Sequence, residues 1–126
     1  MSISYRINSE AGFIHTHISG GLTDEDLLAH KDRLNADPLF GPGMSELADA
    51  REIDRFDVTP NGVQKFVSHE QRHSERFAGH RLAIVASADV VFGMARMYQM
   101  RTSAAVGVFR SMREALDFLG AAELPS

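Results

Sequence analysis

The sequence predicts an α/β fold with a mixed five-stranded sheet and four main helices, and three observations carry that prediction. Two segments of alternating polar and apolar residues at the start of the chain, separated by Glu10-Ala11-Gly12, read as a β-hairpin. Leu82-Ala83-Ile84-Val85-Ala86 is a short, continuous apolar run, which suits a strand covered on both faces. After the hairpin, strand-like runs alternate with segments of helical spacing that carry their own caps. That order implies β-α units with parallel strands and right-handed crossovers.

The elements follow in chain order. Ser2 to Asn8 alternates Ile3, Tyr5 and Ile7 with Ser4 and Arg6. Phe13 to Ser19 places Ile14, Thr16 and Ile18 on one face and Phe13, His15 and His17 on the other, and Gly20-Gly21 ends the strand. Thr23 with Asp26 forms a capping-box-like start, and Asp24, Glu25 and Asp26 favour the positive end of a helix dipole. Leu27, Leu28, Lys31 and Leu34 continue at helical spacing until Asp37-Pro38 stops the helix. Met44 to Ala50 is a third strand, and Arg51 to Val58 is polar and irregular. Thr59-Pro60 reads as N-cap and first helical residue of a helix from Pro60 to Phe77, with Gly79 as its stop. Ser87 caps a third helix, Ala88 to Thr102, and Val106 to Phe109 is the fifth strand. Ser111 and Glu114 open a fourth helix that runs through Leu119 and closes at Gly120.

A chain of 126 residues with 44% hydrophobic and 24% charged content reads as one soluble domain, 1–126. Acidic residues outnumber basic ones 17 to 13, which disfavours nucleic acid as a partner, since that affinity comes from neutralising phosphates. The longest uncharged stretch, Ala11 to Thr23, is too short to span a bilayer, and Met1 to Glu10 lacks the pattern of a secretory signal. A cytoplasmic location is the expectation. The absence of cysteine excludes disulfides, thiolate nucleophiles and thiolate metal sites.

The order hairpin, helix, then three β-α units, together with Leu82-Ala83-Ile84-Val85-Ala86 leading into Phe92-Gly93-Met94-Ala95-Arg96-Met97-Tyr98, resembles the STAS/SEC14-like, SpoIIAA-like family of small bacterial proteins. The resemblance runs from Tyr5 to Leu119. It implies helices packed mainly on one side of the sheet, and relatives that act as anti-sigma-factor antagonists or binding domains rather than as enzymes. It also implies a phosphorylated serine at the start of the second helix, in an Asp-Ser-Ser-Gly-Leu-Gly motif. Here that stretch is Asp57-Val58-Thr59-Pro60-Asn61-Gly62, in which Asp57 and Gly62 match and Thr59 stands in for a serine. Thr59 is thus a candidate phospho-acceptor and, independently, an ordinary N-cap.

His69-Glu70-Gln71-Arg72-His73 satisfies the H-E-x-x-H pattern, in which two imidazoles four apart on a helix hold zinc while the glutamate acts as base. Arg72 and Ser74 depart from the apolar context of such sites, and no third ligand is evident. Val63, Phe66, Val67 and Phe77 define the helix's apolar stripe; Glu70 falls in its middle, with His69 and His73 on its flanks. Because Ser68 to Arg76 contains no apolar residue, the helix is expected to overhang the sheet edge and leave Glu70 in water; pairing with an arginine is the alternative.

His15 and His17 share a sheet face that needs cover, which dimerisation would supply. His30 and His80 sit at ordinary helix and loop positions. The third helix is apolar on more than one stripe, so Val91, Met94, Met97, Tyr98 and Met100 are candidates for a self-association interface or the wall of an apolar pocket. The carboxyl ends of the strands should supply a ligand crevice from Asp49, Arg51, Ser87, Asp89 and Arg110. The combined expectation is a non-enzymatic regulatory or protein-interaction module, homodimeric, with a regulatory protein partner and no cofactor. A domain binding an apolar small molecule or lipid is the first alternative, and a zinc hydrolase using His69, Glu70 and His73 the second.

Overall fold

A computed structural model describes residues 2–125. Its strands are β1 (Ile3–Asn8), β2 (Phe13–Thr23), β3 (Ser45–Asp57), β4 (Arg81–Val85) and β5 (Ala105–Phe109). The helices are α1 (Asp24–Ala36), α2 (Pro60–Arg72), α3 (Asp89–Arg101) and α4 (Met112–Leu119). The sheet order is β1-β2-β3-β4-β5, with β1 antiparallel to β2 and the other neighbours parallel. The expected architecture, a hairpin followed by β-α units, is the observed one. Gly12 makes the hairpin turn at φ 61°, where a Cβ would be strained.

Side chains alternate between the sheet's two faces, and the register identifies which residues share a side. Thr16, Ala48, Ile84 and Val108 align across four strands, with Ile14, Glu46, Leu82 and Val106 in the next row. This face carries α1, α2 and α3. The other carries α4, whose Ala115, Leu116 and Leu119 pack on Leu47, Ala83 and Val85. Part of the cover expected from a second subunit is therefore supplied by the chain's own last helix.

Three regions differ from the sequence reading. β2 continues through Gly20-Gly21, and β3 continues to Asp57, because Ser19 to Thr23 pairs with Glu52 to Asp57. Register shifts at His17/Ser19 and Gly20/Gly21 bend this two-stranded arm, and Gly20 sits at φ 68°. The polar stretch after Arg51 is thus strand: β4 pairs with β3 only as far as Asp49, so the arm stands beyond β4 and its polar side chains reach water. The second correction concerns α2, which ends at Arg72 rather than Phe77. The Arg76 guanidinium donates to the Asn35 and Asp37 carbonyls, and Phe77 turns in against Phe40, 5.0 Å between ring centres. Finally, Ser87 does not cap α3. The cap position is Ala88, without a side-chain hydrogen bond, and Arg110 holds the Ser87 carbonyl instead.

Candidate functional site

α2 packs chiefly on α1 and α3, and between it and the sheet lies a cavity of about 110 Å³. The space follows from side-chain size. Ala48 and Ala50 on β3 and Ala95 on α3 are too small to meet the aromatic and branched side chains that α2 sends down, notably Val63 and Phe66. Ile84 belongs to an interior strand yet is only half-buried, because it faces this space. Leu27, Ile53, Phe56 and Met94, all half-buried, surround the end nearest the carboxyl ends of the strands.

The opposite end is polar. Thr16, His30, Lys31, Glu46 and Tyr98 form it, and all five are buried. Glu46 is central: its carboxylate accepts from the Thr16 hydroxyl at 2.6 Å, His80 Nε2 at 3.0 Å and His30 Nε2 at 3.4 Å. Burial by itself would raise its pKa, but the hydrogen bonds from His30 and His80 outweigh this and hold the carboxyl well below the ordinary glutamate value. Beside it, Glu70 accepts from Lys31 Nζ at 2.9 Å, the Tyr98 hydroxyl at 2.5 Å and the Thr102 hydroxyl at 3.0 Å. Lys31 also lies over the rings of Phe66 and Phe77, at 4.6 and 4.1 Å from their centres. Burial, then the Glu70 charge, pushes the Tyr98 phenol well above its ordinary pKa.

Glu70 therefore does point into the core, as its place in the apolar stripe implied, but it is not in water and its partner is not an arginine. The expected overhang is corrected by Lys31, which α1 presents at an apolar position directly opposite. The rings of His69 and His73 lie 4.5 Å apart between centres, but one nitrogen of each is engaged elsewhere, His69 Nε2 with Asp32 Oδ1 at 2.7 Å and His73 Nδ1 with the His69 carbonyl at 3.0 Å, and Glu70 turns away to Lys31, Tyr98 and Thr102. Among the described residues no group of three or more His, Asp or Glu side chains is placed to hold a metal ion.

Thr59 caps α2 by accepting from the Gly62 N–H at 3.0 Å, and donates its hydroxyl to Asp24 at 2.6 Å. A phosphate there would face the Asp24 carboxylate. Of the crevice candidates, Asp49 and Arg51 pair with each other at 2.8 Å, which lowers the carboxyl's pKa and raises that of the guanidinium; the pair starts from the sheet face opposite the cavity. Arg110 joins the Ser87 carbonyl to the Asp89 carboxylate and lies over Phe92. On α3, Val91 and Tyr98 are buried in the core and Met94 lines the cavity, so these three are not presented outward; Met100 is 83% exposed and Met97 half-buried. On the α4 side of the sheet, His17 meets Glu52 at 3.2 Å, and burial lowers the His15 pKa.

Sequence reasoning missed Glu46, His80, His30 and Lys31 as a group. A signal was present: Glu46 interrupts the apolar face that Met44, Ala48 and Ala50 give to β3, and Lys31 occupies a core position of α1 between Leu27 and Leu34. Charged residues at positions that must be buried announce partners.

No family model and no curated protein matches the chain. A solved structure from Shewanella loihica PV-4, described as an uncharacterized protein from the DUF3478 family with a SpoIIAA-like fold, is 21% identical and superposes with a TM-score of 0.60. The match covers 93% of this chain and 91% of that one. The fold is thus SpoIIAA-like over nearly its whole length, in keeping with the resemblance read from the sequence.

Proposed function

We propose that the protein is a non-catalytic binding module that holds a small, mostly apolar molecule between α2 and the sheet. The observation that carries this reading is the cavity itself: an apolar chamber within a layered α/β core, with convergent polar groups at one end only. An engineered apolar cavity of about 150 Å³ accepts benzene, so a volume of about 110 Å³ is of the right order for a ring-sized group. Titration with toluene, followed through the methyl resonances of Ile84, Val91 and Met94, tests the reading. Saturable shifts at these methyls are expected, together with a rise in thermal stability because the ligand binds the folded state alone. Unmoved resonances up to the solubility limit of toluene would remove the proposal.

A second reading, self-association through α3, draws on a different surface. Val90 and Met100 are 59% and 83% exposed, and Val90, Gly93, Met97 and Met100 follow one another at helical spacing. Sedimentation velocity at tens of micromolar separates the cases: a dimer that Met100→Glu dissociates supports this reading, and a wild-type monomer rejects it.

A further inference from the structure

The polar end of the cavity specifies more than an apolar occupant. Every charge there already has its opposite inside the protein: Lys31 is paired with Glu70, and the Glu46 carboxylate sits between His30 and His80. An anionic head group would enter beside two carboxylates, and a cationic one beside Lys31 and two imidazoles. Neither finds a free counter-charge to offset the loss of its hydration.

Hydrogen-bonding capacity remains nonetheless. A carboxylate offers about four acceptor positions, and Glu46 receives three donors, one of them at 3.4 Å. His30 lines the cavity, and its Nε2 faces an acceptor-only carboxylate and so carries a proton. Its Nδ1 is buried with no partner. That atom is a lone pair on a neutral ring and an N–H on a charged one. The two ring nitrogens point in widely divergent directions, so a group bonded to Nδ1 could not also reach the carboxylate that Nε2 faces; a hydroxyl, which donates, suits the free acceptor position on Glu46. Five other buried side-chain atoms among the described residues, His69 Nδ1 and His80 Nδ1 among them, also lack a partner, so the unfilled acceptor position on Glu46 is the feature that distinguishes this cavity.

We infer that the cavity selects an uncharged molecule of single-ring size bearing one hydroxyl, a phenol or a comparable alcohol, with its ring against Ile84, Val91 and Met94 and its hydroxyl donating to Glu46. This rests on the binding reading above and narrows it to a chemical class. The test is a shape-matched series measured by calorimetry and methyl shifts: toluene, p-cresol, p-toluate and 4-methylbenzylamine. A charge-assisted hydrogen bond gained in a desolvated site is expected to make p-cresol at least about tenfold tighter than toluene, with both ions weaker than p-cresol by a similar factor. Ala95→Phe, which fills the cavity from α3, and Ala48→Val, which fills it from the sheet, should each abolish p-cresol binding while circular dichroism stays unchanged. Toluene binding as tightly as p-cresol, or either ion binding more tightly, overturns the selectivity and leaves the cavity reading standing. Failure of the whole series to bind overturns both, and p-cresol binding that survives both filled variants places the hydroxyl's site elsewhere and overturns the inference.

Discussion

Lys31 of α1 and Glu70 of α2 meet at 2.9 Å with side chains only 2% and 9% exposed, a buried ion pair set within the apolar contact between the two helices. The ammonium is further held by the faces of Phe66 and Phe77, and the carboxylate by Tyr98 and Thr102. Removing one partner leaves the other charged in a buried site. Lys31→Met should therefore cost about 3–5 kcal/mol, and Glu70→Gln a comparable amount. The double replacement should cost well below the sum, with a coupling of at least about 1 kcal/mol in a urea-unfolding cycle. Additive losses would mean that the two groups do not depend on each other.

Asp24 and Gly62 give a prediction with a change of sign. A Cβ on Gly62 would collide with the Asp24 carboxylate, which accepts from the Thr59 N–H and hydroxyl at 2.9 and 2.6 Å. Gly62→Ala displaces that carboxylate from the cap and should destabilise by about 1–2 kcal/mol. In an Asp24→Ala background the obstruction is gone, and the same substitution should stabilise by up to about 1 kcal/mol, since alanine is the better helix former. Loss of stability in both backgrounds would contradict the geometry.

Glu46 sets an acid limit. Its folded pKa lies well below the unfolded value of 4.5, so its contribution is fully present above about pH 4.5 and is lost as the pH falls through the folded pKa. Asp26, whose pKa is lowered chiefly by the Thr23 N–H, and Asp49 act in the same direction. Denaturant midpoints followed downward from pH 6 should decline below about 4.5. Glu46→Gln should be less stable at neutral pH, with a visibly flatter acid limb. An acid limb unchanged in Glu46→Gln would remove the carboxylate from this role.

The alkaline side reports on the tyrosines, of which the chain has two, with no tryptophan to obscure them. Burial and the hydrogen bond to Asp37 raise Tyr5 to about 12, and Tyr98 also lies well above 10.0. Raised values favour the neutral phenol in the fold. Their stabilising effect is complete below about pH 10 and is lost as the pH rises from there through the folded values. Ultraviolet titration of the folded protein should show no tyrosinate transition centred near pH 10.0. A transition there would place at least one ring in water.

Much of the fold was legible locally. The alternation of Ile3, Tyr5 and Ile7, the Thr23–Asp26 capping box and the Ser111 and Gly120 boundaries of α4 are each set by residues within a few positions, and the structure has all of them. The arm beyond Ala50 was not legible, because its polar side chains hide a backbone that is strand only by virtue of pairing with Ser19 to Thr23. The candidate site was legible in fragments. Glu70 stands out within its apolar stripe, and Val91, Met94 and Tyr98 are candidates for the wall of a pocket, but nothing local names what faces them.

What the sequence determined by itself is the order of elements and the side of each that turns inward, since periodicity and caps act over one or two turns of chain. Only the tertiary structure decided which charges could be buried. Lys31 and Glu70 are 39 residues apart, Glu46 is 34 from His80 and 16 from His30, and the stability of an ion in the interior depends on the partner brought to it across space. The cavity is likewise a property of three alanines set opposite one helix, a coincidence that exists once the layers are stacked.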